Sequence, residues 1–339
     1  KEHVEMSTGI PGDICAVAKV EEIEFDAVLH DSHDEDHIHL KPLDFPTPMQ
    51  GLAIEPKSRG DEQKISKALH ALTTEDPCFK VERAPTGETV IRGLGDLHMR
   101  ISLEKMAKRF GAEVDTHPPK IAYRETIQAK AEGHHRHKKQ TGGAGQFGEV
   151  YLRVEPLEPG AGFEFSNDVF GGAIPSNLIP AVEKGVRQVL EQGAVAGYPL
   201  QDVKVSVYDG KYHPVDSKEV AFVTAGKRAF IDAVSKAKPA LLEPIVNLEI
   251  TVPDDNMGDI AGDLSGKRGR IVGQDTLPGG MCMIKAQAPL AELSNYQSQV
   301  KSVSGGQGSF TMEFSHYEPV PPQVQQQIVA QYKPKHEED

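Results

Sequence analysis

Tryptophan is absent and aromatic residues make up only 6% of the chain, so a sheet of exposed rings stacking successive bases, as in RNA-recognition modules, is not expected. Cysteine is scarce: Cys15, Cys78 and Cys282 are odd in number and far apart. With no C-x-x-C pair they suit neither a thiolate zinc site nor redox chemistry, and they read as reduced packing residues of a cytosolic protein. No apolar run approaches the ~18 residues that cross a bilayer, which excludes a helical membrane span. Positive charge is in deficit, 37 Lys and Arg against 50 Asp and Glu, for a net −13. Such a field repels phosphate on average, so any contact with nucleic acid has to come from local basic patches. The opening residues, KEHVEMSTGIPGD, have neither a starting Met nor an apolar core, so no signal peptide is expected and the chain reads as a piece cut from a longer protein.

What is present is enough for two to four domains of about 100 residues each. Residues 1–46 carry strand-like runs (DICAVAKVEEIEF, IHLKPL) and are expected to be the tail of a β-barrel. From 47 to 120 the pattern predicts a strand at 50–56, then a helix opened by a capping box of Ser58 and Asp61, with Ile65, Leu69 and Leu72 on one face. Strands at 78–83 and 88–93 follow around the turn APTGE. A second helix is expected with Leu97, Ile101, Met106 and Phe110 inward, and then the strand AEVDT. This βαββαβ order is a split βαβ module, and it returns at 241–316, where its second helix is expected over LAELSNYQSQVKSV, residues 290–303; a further helix is expected at the end of the 240–339 domain. The block between them, 121–239, opens with strands and has two helices, one beginning near Pro180 and one at Asp216 or Ser217 with Glu219 as capping partner.

The stretch HHRHKKQTGGAGQFG, residues 134–148, is dense in histidine, cations and glycine. A nucleotide loop is not supported. The Gly-Lys pairs at 210–211, 226–227 and 266–267 are followed by Tyr, Arg and Arg, where a P-loop needs Ser or Thr. GAGQFG at 143–148 has dinucleotide spacing but runs into EVYLRVEP, which alternates like a strand. His134, His135 and His137 lack the i, i+4 spacing of helical metal ligands, and the His/Asp group at 31–39 is similarly read as a solvated loop, so no metal site is expected. A metal-dependent hydrolase using these histidines is the rival reading, and stoichiometric metal would mark it. No nucleophile elbow G-x-S-x-G is found and no catalytic residue is proposed. RNA contact remains: Arg136, Lys138 and Lys139 accompany glycines 142, 143, 145 and 148, whose backbone can approach phosphate closely. A second basic patch, Lys267, Arg268 and Arg270, is equally explained as cations at a helix C-terminus.

Taken together, AIEPKSRGDEQKISKALHALTTEDPCFKV, IRGLGDLHMRISLEKM, HKKQTGGAGQFGEV, GGAIPSNLIPAVEKGV, AGYPLQDVKVSVYDGKYHPVDSKEVAF and KPALLEPIVNLEITVPDDNMGDIAGDLSGKRG resemble bacterial elongation factor G over nearly the whole chain. The resemblance implies an α+β multidomain fold: the end of barrel domain II at 1–46, a ferredoxin-like domain III at 47–120, a domain IV like the second domain of ribosomal protein S5 at 121–239, and a ferredoxin-like domain V with a C-terminal helix at 240–339. It implies the ribosome-facing part of a translational GTPase whose GTP and Mg sit in an amino-terminal domain that this chain lacks, so the chain itself is expected to be no enzyme and to hold no cofactor.

By the same resemblance, Gln140, Thr141, Gly142, Gly143, Gly145 and Gln146, with His213, Pro214 and Asp216, are the tip of domain IV, which enters the small-subunit decoding centre and holds tRNA and mRNA during translocation. Lys267, Arg268 and Arg270 fall where domain V meets large-subunit rRNA near the stalk base. A cytoplasmic monomer is implied. Where the family's common motif reads GGRGQ, this chain has Ala144, which removes a cation from the tip. That departure keeps open a specialised paralogue for ribosome recycling or stress; a ribosomal protection protein shares the architecture.

Overall fold

The computed structural model describes residues 4–10, 12–20, 23, 25–140 and 145–332. The chain divides into two compact units, Lys1–Pro119 and Lys120–Asp339. Among the described residues before Gln50 there is no strand, only a short 3₁₀ turn at His33–Glu35. The strand-like runs read there as a barrel tail are accordingly unpaired among the described residues: short strands need neighbouring strands to satisfy their backbone.

The first unit contains β1 (Gln50–Pro56), α1 (Glu62–Glu75), β2 (Lys80–Arg83), β3 (Thr89–Gly93), α2 (Asp96–Phe110) and β4 (Val114–His117). The antiparallel sheet has the order β2-β3-β1-β4. Ile65, Ala68, Leu69 and Leu72 of α1 pack with Met99 and Met106 of α2 against Ile54 and Ile91. Two local expectations fail. The capping box at Ser58 does not close: the Asp61 N–H donates to the Ser58 carbonyl, and the Asp61 carboxylate pairs with Lys64 at 2.8 Å. Leu97 and Ile101 are exposed, because each lies about 200° round the helix from Met99, which with Met106 forms the buried stripe.

The second unit begins with β5 (Arg124–Ile127), followed by β6 (Ala131–Lys139), β7 (Gln146–Pro156), β8 (Phe163–Asn167), α3 (Ile179–Gln192), β9 (Val203–Lys211) and α4 (Glu219–Lys236). Four of these strands form a sheet in the order β6-β7-β9-β8, in which β8 and β9 run parallel and the other pairs antiparallel. The alternating Val150, Leu152 and Val154 of β7 and Val203, Val205 and Val207 of β9 face α3 and α4, which contribute Val182, Val186, Val189, Phe222 and Phe230. Gly133 sits so close to the Ala229 carbonyl of α4 that any side chain there would collide with backbone.

A second sheet follows from β10 (Pro239–Pro253), α5 (Met257–Gly266), β11 (Arg270–Leu277), β12 (Met281–Pro289), α6 (Tyr296–Val303) and β13 (Ser309–Pro319), with α7 (Pro322–Gln331) after it. Its order, β11-β12-β10-β13, reproduces the plan of the first unit, as the repeated βαββαβ order predicts. The helix expected across 290–303 is shorter: Leu290–Glu292 is a 3₁₀ turn, and α6 begins only at Tyr296. Tyr296 is fully buried, edge-on to Phe310 at 5.1 Å, and its hydroxyl has no hydrogen-bond partner among the described residues.

One carboxylate joins the two sheets. Glu125 on β5 is 1% exposed and accepts N–H groups from Ala194, Val195, Ala196 and Tyr198 at 2.6, 3.0, 2.7 and 3.2 Å. The loop after α3 is thereby tied to β5, and β5 itself pairs with the first residues of β10. From α7, the Gln325 side chain accepts from Leu241 N–H at 3.0 Å and donates to the Pro239 carbonyl at 3.2 Å. We expect Glu125→Ala, which leaves four backbone donors of a partly buried turn without their acceptor, to cost the second unit about 3 kcal/mol in urea melts. Tyr296→Phe, which removes an unpartnered hydroxyl, should be neutral or stabilising within about 1 kcal/mol in the same assay.

Candidate nucleic-acid interface

The strand directions decide which segments meet. β6 ends and β7 begins at the same end of the sheet. β9 runs antiparallel to β7 and finishes there, with Lys211 opposite Glu149, and β8, parallel to β9, finishes there too. Gln140, Gly145 and the connections 168–178 and 212–218 therefore share one end. Gln140, Gly145 and Gln146 line one cleft with His213 and Asp216. Thr141, Gly142 and Gly143, with Ala144, lie outside the described residues.

Two of these connections are stitched to each other. Phe147 N–H donates to the Asp216 carbonyl at 3.0 Å, and the Ser217 hydroxyl donates to the Phe147 carbonyl at 2.8 Å. The His213 N–H donates to that same hydroxyl at 2.8 Å, while its Nδ1 faces the N–H groups of Val215 and Asp216 at 3.3 and 3.2 Å. Gly145 is buried, and a Cβ there would stand 2.9 Å from the Asp216 carboxyl carbon. Asp216 and Ser217 thus serve the loop contact instead of capping α4, whose helix starts at Glu219 after Lys218. Pro214 is exposed in the turn.

Between the segments lies a cleft of ≈ 590 Å³ whose walls carry Arg136, Lys138, Lys139 and Lys211 against one carboxylate, Asp216. No ion pair joins Lys138, Lys139 or Lys211 to a carboxylate among the described residues. Arg136 lies over the Phe147 ring at 5.3 Å, and His213 meets the same ring edge-on at 6.5 Å. Phe147 was missed from the sequence, although its alternation with Val150 and Leu152 could have set it on the face away from the helices.

The histidine-rich segment is strand β6, not the solvated loop its composition suggested. His134 stacks on Tyr151 at 4.1 Å and its Nε2 meets Glu149 Oε1 at 2.9 Å. His135 faces Arg228 and Asp232 of α4, and its ring is held below the ordinary histidine range by burial and by Arg228. Among the described residues no group of three or more His, Cys, Asp or Glu side chains could hold a metal ion. The acidic stretch instead pairs internally, with Asp36 near His30 and His33 at 3.4 and 3.5 Å. Gly148, offered by the sequence as a phosphate-facing position, packs on α4: a Cβ there would stand 3.2 Å from the Ala221 carbonyl.

Three family models match in order along the chain: elongation factor G domain III at 45–118, elongation factor G domain IV at 119–238, and elongation factor G C-terminus at 240–328. The chain belongs to the elongation factor G family. It is 43% identical over 98% of its length to the elongation factor G-like protein of Thermotoga maritima and 43% identical over 94% to elongation factor G of Aquifex pyrophilus. It covers 48% and 46% of those proteins, so it spans about half the length of the curated relatives it matches. A crystal structure of a Thermus thermophilus protein superposes over 89% of this chain and 45% of its own, with a TM-score of 0.73 at 39% identity.

The second basic patch lies within the match to the elongation factor G C-terminus, and its cations are largely engaged. Lys267 pairs with Asp263 at 3.2 Å and Arg270 donates to Gln287 at 2.6 Å. Arg268 forks onto Glu243, 2% exposed, and donates to Glu292 at 2.9 Å. Its backbone is left-handed, φ +58, a conformation that the ring of contacts supports.

Within the elongation factor G domain IV match, Glu149 has a readable pH consequence. Burial pushes its carboxyl up, but the His134 hydrogen bond and the charges of Lys211, His134 and Arg136 outweigh burial and hold it below the ordinary carboxylate range. The folded state therefore gains stability from Glu149 above about pH 4.3 and loses it as pH falls through the depressed folded value. We expect the urea midpoint of the unsubstituted chain to fall below about pH 4 more steeply than that of Glu149→Gln.

Proposed function

We propose that this chain is the ribosome-facing part of a translation elongation factor, and that the end of the β6-β7-β9-β8 sheet is its RNA-contacting tip. The observation carrying this reading is that three connections of the elongation factor G domain IV match converge on a cleft whose lysines make no ion pair among the described residues, in a chain of net charge −13. An acidic body keeps indiscriminate RNA away; a local cluster of cations engages phosphate where the tip is inserted. The backbone stitching between Phe147, His213, Asp216 and Ser217 makes that end stiff, which suits a part that works by occupying space.

In this reading the complete protein is a cytoplasmic, monomeric GTPase whose GTP and Mg bind outside this chain, and the chain itself performs no bond chemistry. Gln140, Thr141, Gly142, Gly143, Gly145 and Gln146, with His213, Pro214 and Asp216, lie against tRNA and mRNA in the small-subunit decoding centre and prevent slippage back during translocation. Phosphate contacts by Lys138, Lys139 and Lys211 position the arm without reading sequence. Lys267, Arg268 and Arg270 are the approach to large-subunit rRNA near the stalk base. Arg268 acts there mainly as a structural clamp on Glu243, and Arg270 offers its charge.

A specialised paralogue for recycling or stress uses the same interface. The equal 43% identity to a factor and to a factor-like protein, together with Ala144, favours keeping it as the second reading. In the complete protein, Gln140→Ala with His213→Ala should slow single-turnover translocation by about tenfold or more, ~1.4 kcal/mol on the barrier, with GTP hydrolysis within about twofold of normal. Loss of both activities in equal measure overturns the tip reading. Failure of the unsubstituted protein to support translocation, with subunit splitting intact, selects the paralogue.

A further inference from the structure

The connection between β8 and α3 is anchored at both sides and bare at its apex. On one side Asp168 N–H donates to the Val207 carbonyl at 2.8 Å and Val169 N–H to Asn167 Oδ1 at 3.2 Å. On the other Ile174 is buried, with Cδ1 so near Gly210 that a Cβ there would stand 2.5 Å away. Between the anchors Phe170 is 93% exposed, more than any other phenylalanine among the described residues. Gly171 and Gly172 follow at φ +68 and +74, so the turn that lifts the ring out is set by backbone conformation instead of side-chain packing.

Because β8 is parallel to β9, this loop leaves the sheet at the end where the cleft lies, and Ala173 forms part of the cleft wall. Tyr212 and Val215 of the neighbouring turn are exposed there too, at 46% and 72%. Phenylalanine is normally among the more buried residue types, so a ring left in water on anchored backbone calls for a ligand. The cleft beside it says which kind. Cations that follow a phosphate backbone, next to a ring on which a base can lie, are the combination that holds unpaired nucleotides. An aliphatic protein partner would need walls without charge around the ring, whereas Arg136, Lys138, Lys139 and Lys211 line the cleft together with the rings of Phe147 and Tyr212.

We propose that Phe170 is a stacking residue for an unpaired RNA base, whose flanking phosphates are held by the cations of the cleft. This rests on the reading of that end as RNA-facing and adds to it a base contact made from the β8–α3 connection. The chain has no tryptophan, so Phe170→Trp installs a single fluorescent reporter. The probes are a ten-nucleotide single-stranded RNA and a duplex RNA of equal length.

We expect the single strand to quench the indole emission of the Phe170→Trp variant and the duplex to leave it unchanged. Phe170→Ala and Phe170→Leu should weaken single-strand binding about tenfold, Phe170→Tyr should keep it, and Lys138→Gln with Lys139→Gln should weaken it while flattening its salt dependence. RNA binding that is indifferent to Phe170→Ala, or that leaves the indole emission unmoved, overturns the stacking role and leaves the RNA-facing reading standing. Full affinity in Phe170→Leu with loss in Phe170→Ala overturns it in favour of an apolar, protein-type contact. No salt-sensitive binding of either RNA by the unsubstituted chain overturns both.

Discussion

The second unit depends on one buried carboxylate meeting four backbone donors. Glu125 receives N–H groups from Ala194, Val195, Ala196 and Tyr198 and is 1% exposed. Burying a charge is costly unless its hydrogen-bond capacity is filled, and here the donors belong to a turn that would otherwise have buried polar groups of its own to satisfy. Each side thus removes the other's penalty. The geometry follows: β5 is held beside the end of α3 and the start of β10, so both sheets take their direction from the same short strand. Gln325 of α7 closes the joint by bonding to the backbone at both Pro239 and Leu241.

Charge is handled in two different ways. In the C-terminal sheet domain the cations near the end of α5 are drawn inward, Arg268 to Glu243 and Glu292 and Lys267 to Asp263, and they stabilise the junction of α5 with β11. At the end of the β6-β7 hairpin the lysines are left around a cleft with a single carboxylate. The same residue types therefore have a structural role in one place and create an outward field in the other. Formal charge counting along the sequence does not separate the two, because the carboxylates that neutralise Arg268 lie 25 residues before it and 24 after it.

Periodicity made the sheets and helices legible. The repeated βαββαβ order was readable because alternation in ITV and MIKA and the spacing of Ile65, Leu69 and Leu72 are enforced by burial on one side. It failed where burial did not enforce it. Leu97 and Ile101 have helical spacing but face water, and the runs before Gln50 have strand composition but no strand partner among the described residues. The candidate site was legible in its two glycine- and histidine-bearing segments. It was not legible in Phe147 and Phe170, whose significance comes from strand direction, or in His134, whose composition suggested a loop although Glu149 and Tyr151 across the hairpin make it part of a ladder.

The hairpin has one further consequence. Strand β7 advances by about 3.3 Å per residue, so a residue pair spans roughly 6.6 Å. An insertion or deletion of residue pairs in β6 and β7 would preserve every inward and outward face while shifting the end of the hairpin by about that distance. The reach of the hairpin can consequently change without any change in the core that supports it.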